Sequence, residues 1–102
     1  MELFVVLRKA GSAWVAGKST REQPFWDGHA EFMDRLFEEG KIFLGGPFTD
    51  GNGSMVIVRV ENEQEARTMF DNDPWILEDI HVALEVRPWQ MFLNGINLPG
   101  TA

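Results

Sequence analysis

The stretch "FWDGHAEFMDRLFEEGKIFLGGPF", residues 25–48, places an amphipathic helix before a strand. On a helical wheel, with ~100° per residue, its apolar side chains share one broad arc and its charged side chains the other. The apolar arc consists of Phe25, Trp26, Ala30, Phe32, Met33, Leu36 and Phe37. Ser19 with Glu22, or Thr20 with Gln23, offers a capping box at the start of this helix. Gly40 is a typical stop signal, so residues 41–48 are predicted to form a strand.

Outward from this stretch, residues 2–8, 55–60 and 80–86 are short apolar runs that predict three further strands. Residues 49–54, "TDGNGS", predict a hairpin turn. Asn62, with Glu65 three residues later, predicts the start of a second helix. Strict alternation in the last strand predicts that Ile80, Val82, Leu84 and Val86 face one way and His81, Ala83, Glu85 and Arg87 the other. Pro88 is expected to end that strand.

The element order is therefore β-α-β-β-α-β, which predicts a ferredoxin-like α+β domain with a four-stranded antiparallel sheet. We expect this domain to occupy residues 1–88. Residues 89–102 are expected to form a C-terminal tail that packs at a dimer interface.

The apolar pattern of strands one and three predicts an assembly. Both strands are apolar on both faces, although two helices can cover only one face of the sheet. A second copy of the chain is expected to cover the open face, since symmetric dimers are the commonest oligomers. The alternative is that the tail folds back over its own sheet.

Composition limits the partners. The 102 residues carry a formal charge of -7 with a pI near 4.7, which argues against nucleic-acid binding. No apolar run approaches the ~20 residues of a membrane span, and no signal peptide is apparent. The chain has no Cys, which excludes disulfides and thiolate chemistry. We expect a cytoplasmic protein with no membrane partner.

His29 lies near the centre of the apolar arc, between Phe25 and Met33. A buried imidazole needs hydrogen-bond partners. One interpretation is a core histidine that binds a backbone carbonyl. The other is a general acid/base at the floor of a pocket, which requires a carboxylate to fix the ring.

Asp73 is the candidate carboxylate. It precedes Pro74, and an Asp before Pro is a common start of a short helix, with Asp as the cap. A carboxylate has about four lone-pair sites, so capping a helix and supporting an imidazole are compatible roles.

These motifs resemble the YCII-related proteins. The resemblance rests on residues 25–48, on "DNDPW" at residues 71–75 and on "EVRPW" at residues 85–89, and covers nearly the whole chain. It implies a dimeric α/β barrel, the architecture of muconolactone isomerases and of many small oxygenases and dehalogenases. It also implies that His29 and Asp73 line one pocket as a catalytic pair. Some members of the family add a hydroxyl residue, and here Ser12, Thr49 and Ser54 remain open as candidates.

Two functions follow as hypotheses. The first is a metal-independent isomerase or lyase in which His29 moves a proton of a small organic compound and Asp73 orients the ring. An organic anion is one candidate for that compound. Arg8, Trp26 and Trp75 are its expected substrate-binding residues, with Arg8 ranked first among the strand arginines. The second is a dimeric module that binds a small ligand without catalysis. No metal-ligand spacing and no glycine-rich phosphate loop is present, so no metal or cofactor is implied.

Overall fold

A computed structural model describes residues 1–96 of the chain. The elements are, in chain order, β1 (Glu2–Ala10), α1 (Trp26–Glu38), β2 (Ile42–Pro47), β3 (Ser54–Val60), α2 (Glu63–Thr68), α3 (Pro74–Leu77) and β4 (His81–Trp89). The strands form one antiparallel sheet in the order β2-β3-β1-β4. The predicted ferredoxin-like α+β fold is confirmed, with the short α3 added before the last strand.

The core lies between the helices and one face of the sheet. Phe4 and Val6 of β1 are buried there together with the valines of β3 and with Ala66 and Phe70 from the α2 region. Three side chains of α1 pack against this cluster: Phe32, Met33 and Leu36. The sheet face that carries Phe4 and Val6 is therefore the helix-covered face.

The start of α1 differs from the prediction. The capping residues Ser19 and Glu22 close a separate 3-10 turn, in which the Glu22 carboxylate accepts the Ser19 backbone N–H at 3.0 Å. Gln23 precedes a proline and is extended, so this turn cannot continue into a helix. Phe25 then adopts a left-handed conformation with φ 63°, and it is 53% exposed rather than part of the buried arc.

The predicted alternation along β4 is wrong in its first half. Leu7 pairs with Glu85 but Arg8 pairs with Ala83, so Leu84 is an extra residue at a β-bulge. The bulge reverses the facing of everything before it. His81 therefore lies on the same helix-covered face as Val86, not on the opposite one.

Pro88 does not end β4, contrary to expectation. The strand continues to Trp89, with Pro88 opposite Phe4 and Trp89 opposite Leu3. β4 is an edge strand, where proline's missing N–H costs no ladder hydrogen bond. Part of the expected tail, residues 97–102, lies outside the described residues.

The other face of the sheet keeps the apolar character that the sequence indicates. Leu3, Val5 and Leu7 are half-buried there, while Met55 is 39% and Trp89 is 40% exposed. Within residues 1–96, the helices are too short and too polar to cross a bilayer.

Candidate functional site

Asp73 is the N-cap of α3, as the Asp-Pro pair predicts. Its Oδ1 accepts the backbone N–H of Trp75 at 2.9 Å, and Pro74 occupies the first helical turn, where its missing N–H is not needed. The residue is fully buried, with 0% of its surface exposed. A short capped helix therefore fixes a carboxylate inside the protein.

His29 binds this carboxylate. Its Nδ1 lies 2.9 Å from both Asp73 oxygens, across 44 positions of sequence. A carboxylate only accepts hydrogen bonds, so Nδ1 carries a proton and donates it. Nδ1 thus binds a side chain rather than the backbone carbonyl of the alternative interpretation. Nε2, the other ring nitrogen, makes no hydrogen bond to any described residue.

Arg8 reaches Asp73 from the sheet. Its Nη1 donates to Oδ2 at 2.9 Å, and its guanidinium lies 4.8 Å from the centre of the Phe70 ring. Arg8 is only 3% exposed. Burial lowers the pKa of Arg8, while the charge and hydrogen bond of Asp73 oppose that fall. The expected substrate-binding arginine is thus already paired within the protein.

The Asp73 carboxylate is held in its charged form. Burial alone raises its pKa, but the hydrogen bond and charge of His29, the N–H of Trp75 and the charge of Arg8 together lower the pKa below its usual value. An ionised Asp73 at neutral pH keeps the proton of His29 on Nδ1. The lone pair of Nε2 is then the basic position of the ring.

Aromatic rings enclose the imidazole, and two of them are the expected Trp26 and Trp75. The Trp75 ring stacks on His29 with centroids 3.9 Å apart and planes 4° from parallel. Its Nε1 donates to the Pro24 carbonyl at 2.9 Å, which fixes the ring. Trp26 lies at the border, 5.6 Å from both His29 and Trp75.

Two further rings, those of His81 and Trp14, lie beside His29 and Trp75. From the sequence, neither residue was identified as part of the site. His81 is 2% exposed and lies 6.3 Å from the ring centre of His29. Trp14, from the loop after β1, stacks on His81 at 5.5 Å and is half-buried. The placement of His81 follows from the β4 bulge, and the regular alternation of "IHVALEV" conceals that bulge.

Burial lowers the pKa of His81 to about 4, and the nearby charges of Arg8 and His29 add to this effect while Asp73 opposes it. His81 is therefore a neutral imidazole at pH 7. The two histidines of the pocket differ: His29 binds a carboxylate, whereas His81 binds none of the carboxylates of residues 1–96.

A pocket of about 420 Å³ opens between α1 and β2 above these residues. A volume of this size accommodates a small organic molecule. All five expected site residues, His29, Asp73, Arg8, Trp26 and Trp75, are brought together, and all except the fully enclosed Asp73 line the pocket. His81 and Ser54 also line it.

Of the three hydroxyl candidates, Ser54 is the one that borders this pocket. The Ser12 backbone N–H instead donates to Asp79 at 3.1 Å, and its hydroxyl binds the same carboxylate. Thr49 lies in the turn between β2 and β3. Over residues 1–96, no group of three or more metal-ligating side chains is positioned to hold a metal ion.

Comparison with known proteins defines the class. The YCII-related domain model matches residues 3–90, and the chain belongs to this family. It is 30% identical over 64 residues to "Uncharacterized protein YjpA" of Bacillus subtilis (strain 168), which covers 63% of this chain and 74% of that protein.

A solved structure is also similar. It is 5-chloro-2-hydroxyhydroquinone dehydrochlorinase (TftG) from Burkholderia phenoliruptrix AC1100 in complex with 2,5-dihydroxybenzoquinone. The TM-score is 0.60 at 26% identity, covering 86% of this chain and 93% of that chain. The neighbour is an enzyme that binds a small ring compound.

Proposed function

We propose that this protein catalyses proton transfer on a small unsaturated hydroxy-carbonyl compound, as an isomerase or a lyase, with His29 as the general base and acid. The observation that carries the proposal is the geometry of His29. Its Nδ1 is bound to a buried carboxylate at 2.9 Å, and the ring lines a pocket. This arrangement leaves Nε2 to act on whatever the pocket holds.

Asp73 has two roles in this proposal. It fixes the tautomer that presents a lone pair at Nε2, and its negative charge stabilises the imidazolium that forms when Nε2 takes a proton. Arg8 acts through Asp73, since its Nη1 binds Oδ2 and keeps the carboxylate ionised. Arg8 is therefore proposed as a positioning residue as well as part of the pocket lining.

The lining supports a flat ring as the ligand. Trp26 and Trp75 contribute aromatic rings to the lining, and the polar side chains of Arg8, His29 and His81 line the same pocket. TftG is described in complex with 2,5-dihydroxybenzoquinone, which carries a hydroxyl next to each carbonyl. We take hydroxylated aromatic and quinonoid compounds as the class to test first. Elimination of an anionic leaving group is the lyase form of the reaction.

The working unit is proposed to be a homodimer. Leu3, Val5 and Leu7 of β1 and Met55 of β3 share the sheet face that the helices do not cover. A second copy packed on that face would bury side chains that a monomer leaves partly in water. Nucleic acid is not proposed as a partner, because a formal charge of -7 opposes phosphate binding.

The test uses wild type and His29→Gln. Gln can still donate to Asp73, so the variant keeps the buried carboxylate satisfied while losing the base. Binding of 2,5-dihydroxybenzoquinone is followed by absorbance. Turnover is measured by absorbance and chloride release on a panel of chlorinated and unchlorinated hydroxyhydroquinones, whose keto tautomers carry a C–H next to a carbonyl.

We expect His29→Gln to bind the quinone within a few-fold of wild type and to lose roughly 100-fold or more in turnover, the usual contribution of general acid–base catalysis. Equal turnover in both proteins refutes the role of His29. Tight binding with no turnover of any compound by wild type would favour the non-catalytic ligand-binding module.

A further inference from the structure

His81 has an unusual environment for a histidine that lines a pocket. Its ring stacks on Trp14 and meets the edge of Trp75 at 4.7 Å. Its Nδ1 is enclosed in the protein and finds no hydrogen-bond partner among residues 1–96. Because the ring lines the pocket and Nδ1 is sealed off, Nε2 is the nitrogen that a bound molecule can reach.

The enclosed Nδ1 decides the tautomer. If Nδ1 carried the proton, a buried N–H would lack an acceptor, and orphaned donors are rarer in proteins than under-satisfied acceptors. If Nε2 carries the proton, the N–H points to the pocket, where water or a ligand can accept it. His81 is therefore expected to present a donor, while His29 presents a lone pair.

We propose that His81 is a second catalytic residue of this pocket, which donates a hydrogen bond from Nε2–H to a carbonyl oxygen of the compound whose proton His29 removes. The two ring centres are 6.3 Å apart, and both rings line the same cavity. One small molecule can therefore contact both. This inference rests on the proposed function, because it assigns the oxygen partner within that same reaction.

The electrostatics of the surrounding elements agree with a neutral donor. Arg8 on β1 and His29 on α1 disfavour positive charge on His81, and burial does so most strongly, while Asp73 at α3 opposes them. A neutral imidazole holds its N–H proton tightly, so His81 donates a hydrogen bond to the oxygen without giving up that proton. It thus stabilises charge on the substrate without competing with His29.

His29 Nε2 takes a proton from carbon next to a carbonyl, and the C–H electron pair becomes a C=C bond. The carbonyl π pair moves onto oxygen, which becomes an enolate held by His81 Nε2–H. The enolate pair then returns in one of two ways. In an isomerisation, a conjugated carbon accepts the proton back from His29. In an elimination, the pair expels an anionic leaving group from the neighbouring carbon, and His29 releases its proton to solvent.

The first experiment reads the tautomer directly in the free protein. Long-range ¹H–¹⁵N spectra of the ¹⁵N-histidine-labelled chain separate the Nδ1–H and Nε2–H forms, and His81→Gln assigns the signals. We expect His81 to be neutral with the proton on Nε2 throughout pH 6–8. A proton on Nδ1, or protonation of the ring near pH 6.5, overturns the proposal whether or not any ligand binds.

The second experiment measures absorbance titrations with 2,5-dihydroxybenzoquinone. His81→Phe keeps the stack on Trp14 but removes the donor, whereas His81→Gln keeps an amide donor near the Nε2 position. We expect His81→Phe to weaken binding at least about 10-fold, as loss of a hydrogen bond to an ionised oxygen does, and His81→Gln to stay within about 3-fold of wild type.

The control is Leu77→Ala, which changes an exposed α3 side chain outside the pocket lining and is expected to bind as wild type does. Equal binding by His81→Phe and wild type overturns the donor role. If wild type itself does not bind the quinone, the ligand class of the proposed function fails, and with it the oxygen contact, whatever the tautomer. If His29→Gln turns over the compounds as fast as wild type while the His81 variants behave as expected, only the role of His29 as the general base is refuted.

Discussion

Asp73 and Arg8 form a buried ion pair whose removal has a calculable consequence. The carboxylate is 0% exposed and the guanidinium 3% exposed, with 2.9 Å between Oδ2 and Nη1. In Asp73→Asn, the amide keeps an oxygen that can accept the Trp75 N–H, so the cap of α3 survives. What is lost is the charge opposite Arg8, which water cannot replace at this depth.

We expect Asp73→Asn to lower the free energy of unfolding by about 3–5 kcal/mol, which is the usual cost of leaving one member of a buried ion pair alone. For a domain of this length, 3 kcal/mol corresponds to a fall in Tm of at least roughly 10 °C. Urea denaturation followed by tryptophan fluorescence measures the loss, at one fixed protein concentration so that any self-association contributes equally.

Two further variants make the measurement decisive. Glu63→Gln breaks an ion pair with Arg67 that has the same 2.9 Å distance but about half-exposed partners, and it should cost no more than about 1 kcal/mol. Arg8→Met in the Asp73→Asn background removes the stranded cation and should restore at least 2 kcal/mol. An Asp73→Asn loss below about 1 kcal/mol, or no recovery in the double variant, refutes the reasoning that the buried charge dominates.

Three other predictions follow from the structure. His81 has a lower pKa in the folded protein than in the unfolded chain, so wild type should lose up to about 3 kcal/mol of stability as the pH falls from 6.5 to about 4. Denaturation curves at pH 7 and pH 5 measure this loss, and His81→Phe should lack it. Gly53 has φ +97°, and a Cβ there would lie 2.1 Å from the Arg8 carbonyl oxygen, so Gly53→Ala should unfold at a much lower temperature than wild type. At Gly46 an added Cβ meets no atom within 4 Å, so Gly46→Ala should have nearly the wild-type Tm. Similar Tm values for the two variants would contradict this prediction. Met55→Glu on the open sheet face should halve the mass seen by light scattering, and a wild-type mass of one subunit would refute the proposed dimer outright.

The fold was predictable because local signals agreed with one another. The helix pattern of residues 25–39 and the strand runs gave the element order, and Asn62 caps α2 through Glu65 N–H at 2.9 Å as expected. The errors fell where one residue changes the backbone path. The extended Gln23 before Pro24 moved the start of α1, and the extra Leu84 in β4 reversed the facing of His81.

The site could be predicted from the sequence only in part. Asp73 and His29 could be proposed because a capping motif and a histidine on an apolar arc are local features. The contact between them depends on tertiary packing across 44 positions. The sequence offered Asp73 as a candidate partner of His29, and the family resemblance implied that the two line one pocket. The placement of His81 could not be inferred, since a β-bulge within a regular apolar run leaves no pattern to read. Trp14 lies in a loop whose path the sequence does not define.

The charges at the site also revise the role expected of Arg8. In the proposed reaction His29 starts as the base, so the buried triad of Arg8, Asp73 and His29 would carry no net charge before proton transfer. Because Arg8 is already paired with Asp73, it favours an anionic ligand in the ground state less strongly than an unpaired arginine would. In the same proposal, the triad becomes positive when His29 takes the proton, which is when the substrate becomes an enolate. The attraction between the triad and the substrate would therefore grow chiefly as the enolate forms. Interactions that are stronger in the transition state than in the ground state are the ones that accelerate a reaction.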